Sequence, residues 1–467
     1  MAQERRLGRS FQRLTEAFRA ERLRVADDPN ALEPDRVLVL EIAGELDDFV
    51  RAVSRVPGLE YLAEEVEDKI DPDDFAVVDR QGRRRGYARQ LFLVASDGRA
   101  WQELVSLWRL FQDGGEFPAG FTPFRHMFAR LRELRPWDDG DRLERTGALQ
   151  TWEHELSELH DEPVEFEVEL WLRSSQERRV GVVADLRADL RGAGGELLTE
   201  LVFEEIDYHG VLARVPAHRL RDVVATKEVR WLRTGAVRFF HAVGQMAAWT
   251  AADDAEPERA RPPVGPVASG APRVALLDGV PLGGHGLLRD RIVIDDPEGW
   301  DATVPAARRV HGTGMASVVV HGDLNGSSPP LATPLYVRPI LSPQAPDWVR
   351  DVREELPRDR LAIDVVNAAV ARLFEGEAVA TGIRAIVLAV GDHALQFDRF
   401  VSPLARLLDW LAYRYEVTFL VSAGNHPVIL DIPATPTPAM PKRCSTNFSA
   451  RSAGSPQCAA CWLRRSR

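Results

Sequence analysis

Residues 274–279 read VALLDG, a wholly apolar run that ends in an acidic residue and a glycine. Two later runs have the same form, AIVLAVGD at residues 385–392 and VTFLVSAGN at residues 417–425. Short apolar runs of this kind are typical of strands buried on both faces of a parallel sheet. Because ligands bind at the carboxyl ends of such strands, the polar residues that follow each run are the first candidates for a functional site.

Amphipathic helices are predicted between these strands, as an α/β domain requires. Asp364 can cap a helix over VVNAAVARLF, residues 365–374. Ser402 and Pro403 supply an N-cap and a first-turn proline for LARLLDWLAYRY, whose leucines form one apolar stripe. We therefore predict an α/β domain over residues 273–441.

The rest of the chain predicts two small α+β units. Residues 1–30 read as a charged amphipathic helix and residues 31–150 as an accessory α+β domain. Residues 160–248 have the β-α-β-β-α-β order of a ferredoxin-like sandwich, with its last strand expected at residues 228–237, EVRWLRTGAV. Residues 249–272 are rich in proline, alanine and charge, which predicts a linker.

Charge and composition exclude several classes of protein. A formal charge of −12 argues against a phosphate-binding surface, so no nucleic-acid partner is expected. No apolar run approaches the ~18 to 20 residues that span a bilayer, and the first residues hold no apolar signal core. We therefore expect no membrane partner and a cytoplasmic location. Cys444, Cys458 and Cys461 all lie near the end of the sequence, so disulfides are not expected in the main fold.

One further motif lies between the first two apolar runs. Residues 310–322 read VHGTGMASVVVHG, in which His311 precedes Gly-Thr-Gly and a helix of small residues. Taken singly, Asp278 and Asn425 are ordinary turn residues at strand ends, and a lone histidine is usually a core or surface group. Their order along the chain is more specific than any one of them.

In that order, Asp278-Gly, His311-Gly-Thr-Gly-Met-Ala-Ser and Ser-Ala-Gly-Asn425 resemble the motifs of the subtilisin-like serine peptidases, or subtilases, over residues 273–430. The resemblance implies a three-layer α/β domain on a parallel sheet, incomplete here, and serine-type endopeptidase activity on peptide or protein substrates. It assigns Asp278 as the residue that orients the histidine, His311 as the general base on the first turn of a helix, and Asn425 as the oxyanion-hole donor.

The residue types suit this chemistry. A serine hydroxyl is a weak nucleophile near neutral pH, so an imidazole must take its proton, while a carboxylate at the other ring nitrogen fixes the tautomer. An amide donor such as that of Asn425 lowers the barrier to the tetrahedral intermediate by about 3 kcal/mol. Gly312 and Gly314 are expected to let the backbone pack closely beneath the ring.

The resemblance has further implications for binding partners. Ala389, Val390 and Gly391 correspond to the segment that binds the substrate backbone as an added strand, although the family has a serine at the first position. Residues 164–237 resemble the prosegments that assist subtilase folding and plug the active site; an ordinary accessory domain is the alternative. Some cytoplasmic subtilases are encoded beside an ATPase, which implies a partner ATPase, and this chain has no phosphate-binding loop of its own. Calcium is common in the family, but no cluster of oxygen ligands stands out in the sequence.

The nucleophile of the family is the feature that we do not find. It lies in a Gly-Thr-Ser-Met-Ala type motif beyond the asparagine, and no serine after Asn425 has that context. Residues 442–467 are basic and contain all the cysteines, which suggests a shifted reading frame, a disordered tail or, least of all, a zinc knuckle at Cys458 and Cys461. Two functions therefore stay open: a peptidase that lacks its serine in this chain, inactive as it stands, and a catalytically silent protein that binds or regulates through the peptide groove.

Overall fold

The computed structural model describes residues 2–25, 36–43, 48–67, 77–78, 84–85, 89–158, 161–233, 235–243, 246–248, 268–324, 328–343, 354–376, 379–392 and 401–422. The architecture is mixed α/β, with antiparallel sheets in the first half and a parallel sheet in the second. Within these ranges, no helix combines the length and the apolar character needed to span a bilayer.

The first unit is an antiparallel sheet with helices packed against it. The strands are β1 (Arg36–Ala43), β2 (Leu59–Glu67), the short pair β3 (Val77–Val78) and β4 (Arg84–Arg85), β5 (Arg89–Ser96) and β6 (Leu131–Pro136). The helices are α1 (Ala2–Val25), α2 (Phe49–Val53), α3 (Gly98–Gln112) and α4 (Thr122–Arg130). The main sheet has the order β2-β5-β1-β6. The apolar stripe of α1 packs into this core, where the ring of Phe11 stacks on that of Trp108 at 4.8 Å.

The second unit is a four-stranded antiparallel sheet in the order β10-β7-β9-β8. Its elements are α5 (Asp139–Glu144), α6 (Ala148–Glu158), β7 (Val164–Leu170), α7 (Gln176–Gly192), β8 (Glu196–Phe203), β9 (Tyr208–Val215), α8 (Ala217–Thr226) and β10 (Val237–Ala242). From β7 to β10 they follow the order β-α-β-β-α-β. The expected position of the last strand is wrong, because β10 begins where EVRWLRTGAV ends. Val229 and Leu232 of that segment are buried in the core from outside any strand, so their apolar character reflects packing and not strand pairing.

The third unit is a parallel sheet in the order β13-β14-β12-β17-β19. Its strands are β12 (Val274–Asp278), β13 (Ile292–Ile294), β14 (Leu335–Pro339), β17 (Ala385–Leu388) and β19 (Thr418–Val421). Its helices are α9 (Trp300–Thr303), α10 (Val310–His321), α11 (Ala362–Phe374) and α12 (Pro403–Tyr415). All pairings within the sheet are parallel, as the wholly apolar runs predict.

The first residues of α11 and α12 show which of the predicted N-caps form. Ser402 caps α12 as predicted, since its side chain accepts a hydrogen bond from Ala405 N at 3.2 Å. Asp364 does not cap α11. That helix begins at Ala362, and Asp364 lies in its first turn, paired with Arg360 at 3.1 Å. An acidic residue is stabilising in either position, because both place it near the positive end of the helix dipole.

A small antiparallel sheet joins the second unit to the third. It consists of β11 (Met246–Ala248), β15 (Ser342–Pro343), β16 (Glu354–Glu355) and β18 (Gly391–Asp392), in the order β15-β16-β11-β18. The strand β11 follows β10 of the second unit along the chain, whereas its two neighbours belong to the third unit. The end of the second unit is therefore held as a middle strand between two segments of the third.

The second unit also packs on α12. The rings of Phe203 and Trp410 meet edge to face with their centroids 5.0 Å apart. The guanidinium of Arg406 donates to the main-chain oxygens of Ile206 at 2.6 Å and Asp207 at 2.7 Å. Apolar and polar contacts thus both anchor this unit beside the parallel sheet.

Candidate active site

Asp278 is the last residue of the central strand β12 and is fully buried. Its carbonyl oxygen accepts hydrogen bonds from Ile340 N at 2.7 Å and Leu341 N at 3.2 Å, which hold the strand end against the chain that follows β14. Its Oδ1 accepts a hydrogen bond from Gly279 N at 2.6 Å. These contacts fix the carboxylate at the carboxyl edge of the parallel sheet.

His311 lies on the first turn of α10 and faces this carboxylate. The distance from His311 Nδ1 to Asp278 Oδ1 is 2.7 Å, and 14% of the imidazole is exposed. With Nδ1 directed at Asp278, the tautomer that donates there leaves Nε2 as the basic nitrogen. The structure thus brings together two of the residues that the sequence analysis names, in the relative orientation that a general base and its orienting carboxylate require.

The Gly-Thr-Gly segment after His311 explains how α10 approaches β12 so closely. A Cβ on Gly312 would lie 2.2 Å from the carbonyl oxygen of Gly279, so a side chain at this position would push the helix away. Thr313 Oγ1 accepts a hydrogen bond from Leu282 N at 2.9 Å, which ties the loop after β12 to the helix. The expectation for Gly314 is wrong, because nothing lies within 4 Å of a Cβ built there.

A second acidic residue, which sequence reasoning missed, completes this cluster. Glu354 of β16 is 3% exposed, and its Oε1 accepts a hydrogen bond from the main-chain N of His311 at 3.1 Å. A Cβ on Gly279 would lie 1.6 Å from its Oε2, so the carboxylate occupies the space above that glycine. No local motif marks Glu354, since its position depends on the pairing of strands that are distant in the sequence.

Burial raises the pKa values of both carboxyl groups. For Asp278, burial raises the pKa, and the hydrogen bonds from His311 and Gly279 offset only part of that effect. For Glu354, burial and then the charge of Asp278 raise the pKa to about 7. For His311, burial lowers the pKa, but the hydrogen bond and charge of Asp278, together with the charge of Glu354, outweigh it and raise the value. The cluster is therefore poised to exchange protons near neutral pH.

The segment predicted to bind a substrate backbone is partly in a strand. Gly391 pairs with Ala247 in the small sheet, whereas Ala389 and Val390 are buried between β17 and β18. On the other side of β11, Ala248 pairs with Glu354. An extended segment therefore lies in antiparallel pairing on both sides, directly beside the cluster of Asp278, His311 and Glu354.

The remaining predicted site features lie outside the described residues. Asn425 belongs to them, as do the basic tail with its cysteines and most of the predicted linker. In the part of the chain that the structure does describe, no group of three or more His, Cys, Asp and Glu side chains could hold a metal ion. Comparison of the chain with models of known protein families and with curated proteins finds no match.

Proposed function

We propose that this chain belongs to the subtilisin-like serine-type endopeptidases, that Asp278 and His311 form the proton-transfer half of a Ser-His-Asp triad, and that the 467 residues do not include the serine. The observation that carries the proposal is the 2.7 Å hydrogen bond between Asp278 Oδ1 and His311 Nδ1 at the carboxyl edge of the parallel sheet. The order of the three motifs along the sequence supports the same family, and so does a parallel sheet preceded by two antiparallel units.

In the proposed reaction, His311 Nε2 takes the proton of a serine hydroxyl as its oxygen attacks the scissile carbonyl, and then returns the proton to the leaving amine. Asp278 stabilises the imidazolium that forms between these steps. The raised pKa of His311 fits a base that must hold a proton during the tetrahedral stage. Asn425 would donate to the oxyanion, and Gly391 would pair with the substrate backbone.

We further propose that the prosegment-like unit, residues 160–248, occupies the groove. The support is the position of β11, whose backbone pairs with β16 on one side and β18 on the other. An extended substrate added as a strand would use the same backbone donors and acceptors. A bound peptide and β11 would therefore compete for one site.

A second function is favoured by the same pairing. The sequence after Asn425 contains no Gly-Thr-Ser motif, so the proposal gives the 467-residue chain no peptidase activity of its own. Strand pairing in the groove needs only main-chain groups and survives without a nucleophile. The alternative is therefore a silent protein that binds or regulates through an extended peptide.

Reading the gene and its transcript beyond codon 440 and labelling with a fluorophosphonate distinguish the two functions, because that reagent requires an activated serine. We expect no labelling of the 467-residue chain. If an in-frame continuation carries a Gly-Thr-Ser motif, we expect strong labelling that His311→Ala lowers by at least about a thousandfold. A confirmed stop codon with retained peptide binding supports the silent protein, and labelling that is indifferent to His311→Ala contradicts the peptidase.

A further inference from the structure

The two glutamates of β16 are adjacent in the chain but have different surroundings. Successive side chains of a strand point to opposite faces of the sheet. On one face, the Glu355 carboxylate accepts a hydrogen bond from Arg358 Nε at 2.7 Å. On the other face, the Glu354 carboxylate meets the main chain of His311. One carboxylate is thus part of an ion pair, and the other points at the candidate base.

The hydrogen bond from His311 N fills a gap in the capping of α10. The first N–H groups of a helix have no acceptor within the helix, and a side chain at the N-cap usually supplies one. The N-cap of α10 is Arg309, whose side chain makes no capping hydrogen bond. Glu354 supplies an acceptor from a different strand, and it does so at the residue that carries the imidazole.

The residue after Asp278 leaves room for the same carboxylate. Because Gly279 has no side chain, Glu354 Oε2 can occupy the space in which a Cβ would lie. Glu354 therefore contacts the chain segments of both members of the Asp278–His311 pair. Its own strand pairs with β11, the segment that occupies the groove.

We propose that Glu354 is a positioning residue for His311. Its carboxylate fixes the first turn of α10 relative to β16, and so relative to the extended segment that pairs with β16. The inference rests on the proposed function, because that function makes His311 the general base. It adds a physical link between strand pairing in the groove and the orientation of the imidazole.

Two charged groups of the described residues act most strongly on the Glu354 carboxylate. Asp278 faces it from β12 and His311 from α10, while the flanking strands β11 and β15 contain no ionisable side chains. The ionised carboxylate favours a protonated His311 through its charge. Glu354 therefore has two separable effects on His311, one through the hydrogen bond and one through its charge.

Variants of the full 467-residue chain separate these effects. Glu354→Gln removes the charge but keeps an oxygen acceptor, whereas Glu354→Ala removes both. Histidine-selective NMR gives the pKa of the His311 ring, and hydrogen exchange gives the protection of its main-chain amide. We expect both variants to lower the pKa of His311 by about half a unit to one unit. We expect only Glu354→Ala to speed exchange of the His311 amide, by about tenfold, since it alone removes the acceptor.

Glu355→Gln and Glu355→Ala are the matched controls, because they change the neighbouring carboxylate of the same strand. We expect neither to alter the pKa or the amide exchange of His311. Equal effects at positions 354 and 355 would overturn the inference, as would an unchanged His311 in Glu354→Ala. Asp278→Asn keeps the two proposals apart: a pKa that responds to Asp278→Asn but not to position 354 removes only the positioning role. Failure of fluorophosphonate labelling in a serine-bearing chain removes the peptidase and leaves the titration result intact.

Discussion

Two buried pairs of a carboxylate and a histidine invite comparison in this molecule. Glu169 Oε2 lies 2.9 Å from His241 Nε2 in the second unit, and Asp278 Oδ1 lies 2.7 Å from His311 Nδ1 in the third. Both carboxylates are fully buried. By distance and burial alone, either pair could be taken for a catalytic one.

The surrounding charges distinguish them. Burial raises the pKa of Glu169, but Arg238 at 3.3 Å, His241 and Arg406 at 3.0 Å more than offset it and lower the value to about 2. For Asp278, burial outweighs the hydrogen bonds and charge of its described partners, His311 and Gly279, and raises the pKa, while a second acid, Glu354, lies nearby. The first carboxylate stays ionised at any ordinary pH and serves as an anchor. The second belongs to a cluster in which burial raises the pKa values of two carboxyl groups, and such shifts are common at functional sites.

The largest effect is expected from removal of the anchor. Glu169→Ala leaves Arg238 and Arg406 with only the half-exposed carboxylate of Asp207, at 3.6 and 3.8 Å. Because the buried partner of both arginines is lost, we expect a cost of about 3 kcal/mol, the low end for breaking a buried ion pair. Arg406 belongs to α12 and Glu169 to β7, so the contact between the second and third units should weaken most. Hydrogen exchange of the β7 and β10 amides measures the loss as a lower free energy of local opening.

Glu196→Ala is the control for this prediction. Glu196 also pairs with an arginine, Arg214, but its side chain is 60% exposed, and exposed pairs contribute at most about 1 kcal/mol. The pH dependence has a defined sign. Because the folded-state pKa of Glu169 is about 2, below its ordinary 4.5, its stabilisation is present above pH 4.5 and is lost as the pH falls towards 2. Similar losses in Glu169→Ala and Glu196→Ala would contradict the role of the anchor.

A smaller effect on stability, of opposite sign, is expected at Glu354, beside the second pair. The folded-state pKa of Glu354 is about 7, above its ordinary 4.5, so ionisation destabilises the fold as the pH rises through that window. Glu354→Gln should therefore stabilise the protein above pH 7, by on the order of 2 kcal/mol, and have little effect at pH 4. Thermal unfolding of the variant and the wild type at both pH values provides the measurement. A variant that is less stable at pH 8 would show that the ionised carboxylate is satisfied where it lies.

The elements of the fold that the sequence predicts are those set by interactions between residues close together in the chain. Wholly apolar runs ending in a polar residue predict β12, β17 and the carboxylate of Asp278, because periodicity and turn preference act over a few residues. The cap at Ser402 is predicted for the same reason. The start of α11 is not, because a cap and a first-turn acid look alike in the sequence. EVRWLRTGAV is misassigned because tertiary packing buries its apolar residues without a strand.

The residues of the candidate site also differ in how well local sequence predicts them. Asp278 and His311 are predicted as a pair through motif order, which the subtilase resemblance supplies. Glu354 is not predicted, since no local pattern distinguishes it from Glu355. Its role depends on which way a two-residue strand faces, and that is set by pairing with β15 and β11. The balance of charge that separates the two histidine pairs also involves distant partners, such as Arg406 beside Glu169.

The smallest effect on stability is expected from a substitution in β11, which lies beside the second pair. Ala247 pairs with Glu355 and Gly391, so Ala247→Pro removes a main-chain N–H from this small sheet. Loss of one such hydrogen bond costs about 1 kcal/mol. We expect faster hydrogen exchange at Gly391 and tighter binding of added extended peptides, because the groove is released. The amides of β7 and β10, which carry Glu169 and His241, should keep their protection from exchange, since β11 belongs to a different sheet.

Ala247→Gly is the control, since glycine keeps the N–H and can pair as alanine does. An effect of Ala247→Pro that Ala247→Gly does not reproduce therefore comes from the proline itself, which lacks the N–H. If Ala247→Pro speeds exchange equally at β7 and at Gly391, the two regions open together, and β11 cannot act as a separable occupant of the groove. If exchange rises only at Gly391, the segment can leave while the Glu169 anchor holds the second unit in place. Exchange that rises only at Gly391 is what we expect of a prosegment that stays attached while it uncovers a peptide groove.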